Sequence, residues 1–202
     1  MILKICGMRD AKNIHAIEQM DIDWMGFIFY SGSPRYVGET IHYLPTKVKQ
    51  VGVFVNKKYD EIIRIAKKYD LTHLQLHGNE SPKDCLLLRN EGYLVIKAIS
   101  IKAAKDLTQI KPYESCVNCF IFDTKSVLRG GSGKKFDWSI LNKYQGGKPF
   151  ILSGGISPDS ISQLKKVKHP SLIGYDLNSQ FEITPGLKDI KKLSAFIQSI
   201  RN

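Results

Sequence analysis

Short apolar runs rich in β-forming residues recur along the chain at intervals of roughly 20 to 27 residues. Most neighbouring runs are separated by a stretch with apolar residues at helical spacing, as at Ile62, Ile65, Ala66 and Tyr69. Strands that alternate with single helices pair in parallel, because the helix provides the crossover. Eight runs of this kind are present: 2–6, 24–29, 51–55, 73–76, 94–98, 120–123, 150–152 and 172–176.

Eight strand–helix units form either a closed barrel or an open, doubly wound sheet. Closure is favoured by the even spacing, by the number eight, and by polar residues collected at the ends of the runs. The first run also lacks the GxGxxG that opens many doubly wound sheets. We therefore predict an α/β fold, a (β/α)8 TIM barrel forming a single compact domain over residues 1–202. In the second unit, which carries Pro34 and Pro45, we predict a long loop and then a short helix after His42.

Composition places the chain among soluble globular proteins, since 43% of its residues are hydrophobic. No apolar run approaches the roughly 18 residues that span a bilayer, and the start of the chain lacks a signal-peptide pattern. We expect a cytoplasmic protein with no membrane partner. Its net charge of +11 is spread over amphipathic helical segments and is not gathered into a nucleic-acid-binding module. The charge instead favours a small anionic substrate and no nucleic acid.

Four cysteines are present: Cys6, Cys85, Cys116 and Cys119. In the cytosol they are expected to be reduced thiols. Cys116 and Cys119 form a CxxC, but no second CxxC or histidine pair at ligand spacing accompanies it. We therefore predict no metal site and assign no chemistry to these two cysteines.

In a barrel of this type the chemistry lies at the carboxyl ends of the strands. The residues found there include Cys6, Arg35, Asn56, His77, Lys97, Asp123, Ser153 and Asp176. Alternate residues of a strand face the same side, so Lys4 lies below Cys6 if the thiol points into the barrel mouth. A buried lysine needs a counter-charge, for which Asp123 and Asp176 are the candidates.

Two glycine-bearing loops complete this inventory. Gly154 and Gly155 precede Ser157 and Pro158, a cap and first-turn pattern that offers backbone N–H groups to an anion. We expect the bound anion to be a phosphate group, which Asn178 and Ser179 on the neighbouring loop would also contact. The basic loop 129–138, RGGSGKKFDW, is expected to form a mobile flap over the site.

Several motifs resemble one known family. The segments KICGM, GFIFYSGSPRYV, VGVFVN, LQLHGNE, FDTKSVLRGGSGKKFDW and ILSGGISPDSI occur in the order and spacing seen in phosphoribosylanthranilate isomerase of tryptophan biosynthesis. The resemblance implies a (β/α)8 barrel that needs no cofactor. It also implies an Amadori rearrangement of N-(5'-phosphoribosyl)anthranilate to 1-(2-carboxyphenylamino)-1-deoxyribulose 5-phosphate.

The resemblance also implies roles for individual residues. Cys6 would be the general base, Asp123 the general acid, and Arg35 the partner of the anthranilate carboxylate. Gly154, Gly155, Asn178 and Ser179 would hold the phosphate, and His77 and Asp176 complete the predicted substrate-binding set. One departure concerns the turn after the eighth strand, where LNSQFE places Gln180 at a position at which the family commonly has glycine. If that glycine supplies a positive φ, the phosphate contacts here must be made differently.

The chemistry agrees with these residues independently of the family. Opening the furanose ring requires a proton donor, which a carboxyl group becomes when enclosure raises its pKa. Removing the C2 proton suits a thiolate, and the charge of Lys4 is expected to lower the pKa of Cys6 toward 7. Two alternatives stay open: another phosphate-binding barrel enzyme acting on a sugar phosphate, and a basic nucleic-acid-binding protein. Either a monomer or a homodimer is compatible with the sequence.

Overall fold

The computed structural model describes residues 1–124 and 137–202, and its eight main strands close into a barrel. All eight are parallel and paired in chain order, with the last strand hydrogen-bonded to the first. They are β1 (Ile2–Cys6), β2 (Trp24–Ile28), β3 (Lys49–Phe54), β4 (His73–Leu76), β5 (Leu94–Ser100), β6 (Cys119–Asp123), β7 (Phe150–Ser153) and β8 (Leu172–Leu177). The predicted barrel is confirmed, with every strand lying within two residues of its expected bounds.

Helices of unequal length cover the outside of the barrel. The α-helices are α1 (Ala11–Ile17), α2 (Tyr59–Lys68), α3 (Pro82–Asn90), α4 (Ile161–Leu164) and α5 (Ile190–Arg201). Segments of 3-10 helix occupy Ala104–Tyr113, Trp138–Lys143, Pro158–Ser160 and Ser179–Phe181. An antiparallel hairpin of β9 (Glu182–Thr184) and β10 (Leu187–Lys188) lies between β8 and α5. Among the residues described, no helix combines the length and apolar character needed to cross a membrane.

The predicted short helix after His42 is wrong. Residues 41–48 form neither helix nor strand. Pro45 disfavours helical geometry at the residue before it and lacks an N–H of its own. Instead, the buried carboxylate of Glu18 accepts hydrogen bonds from the Tyr43 hydroxyl and, at 2.9 Å, from the Thr46 N–H. The segment is therefore held by contacts with the end of α1, which local sequence spacing does not reveal.

Apolar packing inside the barrel is separate from the packing outside it. The larger cluster fills the space between the sheet and the helices, because alternate residues of each strand face outward. A smaller cluster lies on the inner face and comprises Trp24, Val51, Ile96, Ala98, Cys119, Ile121 and Ile151. Toward the carboxyl ends of the strands the inner face becomes polar, with Asp123, Ser153 and Asp176 all buried. This end of the barrel contains the candidate site.

Candidate active site

A row of polar residues crosses four neighbouring strands at the barrel mouth. Asp123 on β6 is paired in register with Ser153 on β7, Ser153 with Asp176 on β8, and Asp176 with Lys4 on β1. Cys6 ends β1 two residues after Lys4 and faces the same side. The predicted acid and base therefore both point inward, three strand spacings apart, or about 14 Å measured around the sheet.

Lys4 is fully buried and forms an ion pair with Asp176. Its Nζ lies 2.9 Å from Asp176 Oδ1, and the Ser153 hydroxyl donates to Asp176 Oδ2 at 3.1 Å. Burial alone would lower the pKa of Lys4, but the carboxylate outweighs it and raises that pKa above its ordinary value. Of the two candidate partners for Lys4, the structure selects Asp176, and both carboxylate oxygens of this predicted substrate-binding residue are contacted by the chain itself.

Cys6 is 4% exposed and lies beside Gly26 on β2. A Cβ added at Gly26 would lie 2.8 Å from Cys6 Sγ and 3.0 Å from Lys4 Nζ. The missing side chain at position 26 thus leaves the space in which the thiol and the ammonium approach each other. Burial raises the pKa of the Cys6 thiol above its ordinary value, and the charge of Lys4 offsets this only in part. The expected lowering of this pKa toward 7 is therefore wrong in direction.

Gly7 follows β1 with φ of +75°, a conformation that favours glycine. Its backbone also approaches two site residues closely, since an added Cβ would lie 2.6 Å from Arg35 Cδ and 3.0 Å from Asn178 Oδ1. Both the turn and the space therefore require glycine. The space beside Gly7 is occupied by Arg35 and Asn178, which meet at the end of β1.

Arg35 is held by Glu182 of the β9–β10 hairpin. Its Nε lies 2.8 Å from Glu182 Oε1, and its Nη2 lies 2.5 Å from Oε2. Glu182 also accepts a hydrogen bond from the buried Lys188 ammonium at 2.6 Å, and the same ammonium donates to Asn178 Oδ1 at 2.7 Å. Four residues from three segments of the chain thus form one network beside Cys6.

Sequence reasoning found Arg35 and Asn178 but missed Glu182 and Lys188. The available signal was Pro185–Gly186, a pair typical of a type II turn, which predicts a hairpin between the flanking residues. In the structure Gly186 has φ of +85°, and Glu182 and Lys188 are cross-strand neighbours.

Neighbouring cationic side chains stabilise the ionised form of Glu182. Burial opposes ionisation, but hydrogen bonds from Arg35 and Lys188 outweigh it and lower the pKa of Glu182 to about 2. Burial lowers the pKa of Lys188, although Glu182 counters this. The network therefore depends on a charged carboxylate between two cationic side chains.

Asp123 is associated with His77, which follows β4. His77 Nε2 lies 3.4 Å from Asp123 Oδ2, and the amide nitrogen of the fully buried Gln75 lies 3.0 Å from His77 Nδ1. With that amide donating to Nδ1, the neutral ring carries its proton on Nε2, facing Asp123. Gly154 lies against the other carboxyl oxygen of Asp123, since an added Cβ there would lie 2.7 Å from Asp123 Oδ1.

A buried ion pair holds the segment that carries His77. Lys97 Nζ donates to the carbonyl oxygens of Leu76 at 3.2 Å and Gly78 at 2.7 Å, the residues on either side of His77. The same ammonium lies 3.1 Å from Glu80 Oε2, and that carboxylate accepts the Gly78 N–H at 2.9 Å. Lys97 and Glu80 thus fix the backbone from which His77 reaches Asp123.

We predict that Lys97→Met lowers the free energy of unfolding by about 3–5 kcal/mol, because it leaves the Glu80 carboxylate buried without its ammonium. Urea denaturation measures the change. The matched control is Lys67→Met on the exposed face of α2, which is expected to stay within about 0.5 kcal/mol of the wild type. Equal effects of the two substitutions would show that the buried pair is not needed for stability.

The predicted phosphate-binding glycines lie at the end of β7. Gly154 and Gly155 have φ of +88° and +69°, and a Cβ at Gly155 would point into open space. Ser157 precedes the Pro158–Ser160 helix as expected, but its N–H donates to the Ser160 hydroxyl at 3.0 Å. The helix that follows has only three residues, so its N-terminus contributes little to anion binding. The backbone of Gly154 and Gly155 is therefore better suited to bind an anion than the helix is.

Ser179 begins the 3-10 helix after β8, next to Asn178. Gln180 lies in the same helix and needs no left-handed conformation, because the non-glycine residues with positive φ in the described ranges are Asn56 and Asp70. The loop therefore tolerates glutamine at position 180 without backbone strain. Residues 129–136 of the predicted flap 129–138 lie outside the described residues, and Trp138 at its end begins a 3-10 helix.

The remaining cysteines carry no site chemistry that the structure reveals. Cys85, Cys116 and Cys119 are buried free thiols, and burial raises the pKa of Cys85 and of Cys119 to about 12. Such thiols are poor nucleophiles and poor metal ligands. In residues 1–124 and 137–202, no group of three or more histidine, cysteine or acidic residues is arranged to hold a metal ion.

The sequence was compared with protein families and with individual proteins of known name. The sequence profile of a family described as N-(5'phosphoribosyl)anthranilate (PRA) isomerase matches residues 3–199. N-(5'-phosphoribosyl)anthranilate isomerase of Parabacteroides distasonis is 48% identical over 210 residues, covering 99% of this chain and 93% of the relative. The corresponding protein of Phocaeicola vulgatus is 47% identical over 201 residues, covering 100% and 98%.

Solved structures agree with this result. The crystal structure of phosphoribosyl anthranilate isomerase from Thermotoga maritima superposes with a TM-score of 0.83 at 32% identity, covering 100% of this chain and 99% of that one. A structure of such an isomerase in complex with reduced 1-(o-carboxyphenylamino)-1-deoxyribulose 5-phosphate gives 0.81 at 28% identity, with coverage of 100% and 99%.

Proposed function

This chain belongs to the N-(5'-phosphoribosyl)anthranilate isomerase family, and from that premise we propose how its residues rearrange N-(5'-phosphoribosyl)anthranilate. The product is 1-(2-carboxyphenylamino)-1-deoxyribulose 5-phosphate. Cys6 acts as general base and Asp123 as general acid, without a cofactor. The observation that supports the proposal is the register of β6, β7, β8 and β1, which puts Asp123 in one row with Ser153, Asp176 and Lys4, while Cys6 lies on the same face of β1 two residues beyond Lys4.

The reaction begins with ring opening. Asp123 donates a proton to the furanose oxygen as the bond between that oxygen and C1 breaks, and the anilinic nitrogen forms a double bond to C1. Cys6 then removes the proton on C2, and the electron pair of that C–H bond forms the C1–C2 double bond of an enaminol. Transfer of the enol proton and protonation of C1 give the ketone. Each of the two side chains can contribute about 10² to 10⁴ in rate.

Asp123 must hold a proton to start this sequence, and it closes β6 at the barrel mouth. Asp123 is 9% exposed, so little water competes for its carboxyl oxygens. His77 is at ion-pair distance and supports the side chain from β4. We assign to His77 the positioning of the acid, in addition to its predicted contact with substrate.

Substrate binding follows the distribution of charge. Arg35 pairs with the anthranilate carboxylate, a planar group that matches a guanidinium fork. The phosphate is held by the glycine loop of Gly154 and Gly155 together with Asn178 and Ser179, and the free hydroxyl groups of the sugar contact Asp176. The net charge of +11 draws this anion toward the site. A cytoplasmic location, one domain over residues 1–202, and a monomer or homodimer without nucleic-acid partners belong to the same proposal.

The direct test is a fluorescence assay that follows the loss of N-(5'-phosphoribosyl)anthranilate with purified protein and no added cofactor. Steady turnover in a sample treated with a metal chelator is the expected result. Absence of turnover, or turnover that returns only when a metal or organic cofactor is added, would overturn the proposal.

The pH dependence of this activity should report on Cys6. Because burial raises the pKa of the thiol, only a small fraction is thiolate in the free enzyme at neutral pH. Provided that Asp123 keeps its proton over this range, we expect kcat/KM to rise about tenfold per pH unit through pH 7 and 8, and to level off only above the ordinary thiol pKa of about 8.5. A profile already flat at pH 7 would contradict the combination of a Cys6 base with a raised pKa and an Asp123 acid that stays protonated. Stopped-flow measurements across this range distinguish the two cases.

A further inference from the structure

The network around Arg35 contains more than the residue assigned to bind the anthranilate carboxylate. Glu182 lies along one edge of the guanidinium, where it accepts from Nε and from Nη2. A guanidinium has five N–H donors and presents a second bidentate edge formed by Nη1 and Nη2. Within the described residues, Nη1 of Arg35 donates to no protein atom, and the side chain is 19% exposed. The second edge is therefore available to a ligand.

Glu182 is fixed independently of Arg35. Its Oε1 accepts from Lys188 Nζ at 2.6 Å and from the Gly186 N–H at 3.0 Å. The hairpin is in turn attached to α1, because the Asn13 amide makes two hydrogen bonds to the backbone of Lys188, at 2.9 and 2.8 Å. Glu182 is thus a rigid support, and Arg35 takes its orientation from it.

The charges of the network also matter. Arg35 and Glu182 alone would form a neutral pair with little attraction for an anion. Lys188, with a side chain that is 0% exposed, adds a second positive charge and leaves the three-residue network with a net charge of +1. The Glu182 carboxylate can therefore orient the Arg35 guanidinium while the network as a whole still attracts an anionic substrate.

Building on the proposed function, we propose that Glu182 and Lys188 are positioning residues that make the enzyme specific for a substrate with a carboxylate on its aromatic ring. Glu182 directs the free edge of Arg35 toward that carboxylate, and Lys188 keeps the network positively charged. Neither side chain takes part in proton transfer. Their removal should therefore alter the choice between substrates more than the rate of the chemical step.

The test compares two substrates, N-(5'-phosphoribosyl)anthranilate and N-(5'-phosphoribosyl)aniline, which lacks the carboxylate. The measured quantity is the ratio of their kcat/KM values. In Glu182→Gln we expect this ratio to fall about tenfold, the effect of losing one charge-assisted contact, mainly through a higher KM for the carboxylated substrate. Arg35→Ala gives the lowest ratio expected, because it removes the guanidinium that is proposed to bind the carboxylate. Glu61→Gln, the same change on the exposed face of α2, should leave it unchanged.

Lys188→Gln provides a second, independent variant. It removes the charge but keeps a polar side chain beside Asn178, and it should also lower the ratio, because Glu182 then neutralises Arg35. If Glu182→Gln does not fold, this variant decides alone. The inference is overturned if the folded variants keep the wild-type ratio, or if they lose activity equally with both substrates. Failure of the wild type to act on the carboxylated substrate would instead refute the proposed function.

Discussion

Replacing Cys6 with alanine is expected to lower kcat by about 10² to 10⁴ while the barrel remains folded. The thiol sulfur is the group placed to remove the C2 proton, and the neighbouring Lys4 is already paired with Asp176. An alanine at this position has no atom that can accept a proton. The measurement is single-turnover loss of substrate fluorescence, which separates the chemical step from binding.

Cys119→Ala is the matched control for this experiment. It removes the same sulfur from a buried position on the inner face of the barrel, but at the start of β6, away from the mouth. It should reduce stability through the cavity it leaves and retain nearly full kcat. A general base contributes at least about 10² in rate. If Cys6→Ala kept turnover within about tenfold of the wild type, Cys6 would therefore not be the base.

Asp123→Asn is expected to reduce kcat by a similar factor, about 10² to 10⁴, even though Cys6 is intact. An amide has nearly the shape of a carboxyl group but no acidic proton to give to the furanose oxygen. The fold should survive, because asparagine can still hydrogen-bond to its surroundings. Circular dichroism together with the fluorescence assay separates a loss of chemistry from a loss of structure.

The control for the acid is Asp189→Asn, the same chemical change at a structural position. Asp189 caps α5 by accepting from the Lys192 N–H at 3.0 Å, and asparagine caps a helix about as well. Activity should be unaffected there. Retained activity in Asp123→Asn would mean that another group supplies the proton, and His77, at 3.4 Å from Asp123, would be the first to examine.

The barrel was predictable because its signals are local. Each strand is a short apolar run, and eight runs at even spacing leave few topologies. The helix expected after His42 failed for the opposite reason. Its polar and apolar positions permit a helix, but Pro45 and the contacts of Tyr43 and Thr46 with Glu18 favour an irregular segment.

The site was predictable to the extent that it follows from strand ends. Cys6 and Asp123 were proposed because each closes a strand, and in the structure they are the last residues of β1 and β6. The partner of Arg35 was not found, since Glu182 is 147 positions away along the chain. The direction of the Cys6 pKa shift was also missed, because the sequence shows the charge of Lys4 but not the degree of burial, which dominates.

The distribution of ion pairs has a consequence for protein engineering. Lys4, Lys97 and Lys188 are all buried and paired near the mouth, whereas the opposite end of the barrel interior is packed with apolar side chains. Exchanging such pairs for hydrophobic residues of similar volume often improves thermal resistance. Here the same exchange would remove the charges that position residues of the proposed site, so heat-tolerant variants should be selected from changes at the apolar end of the barrel interior.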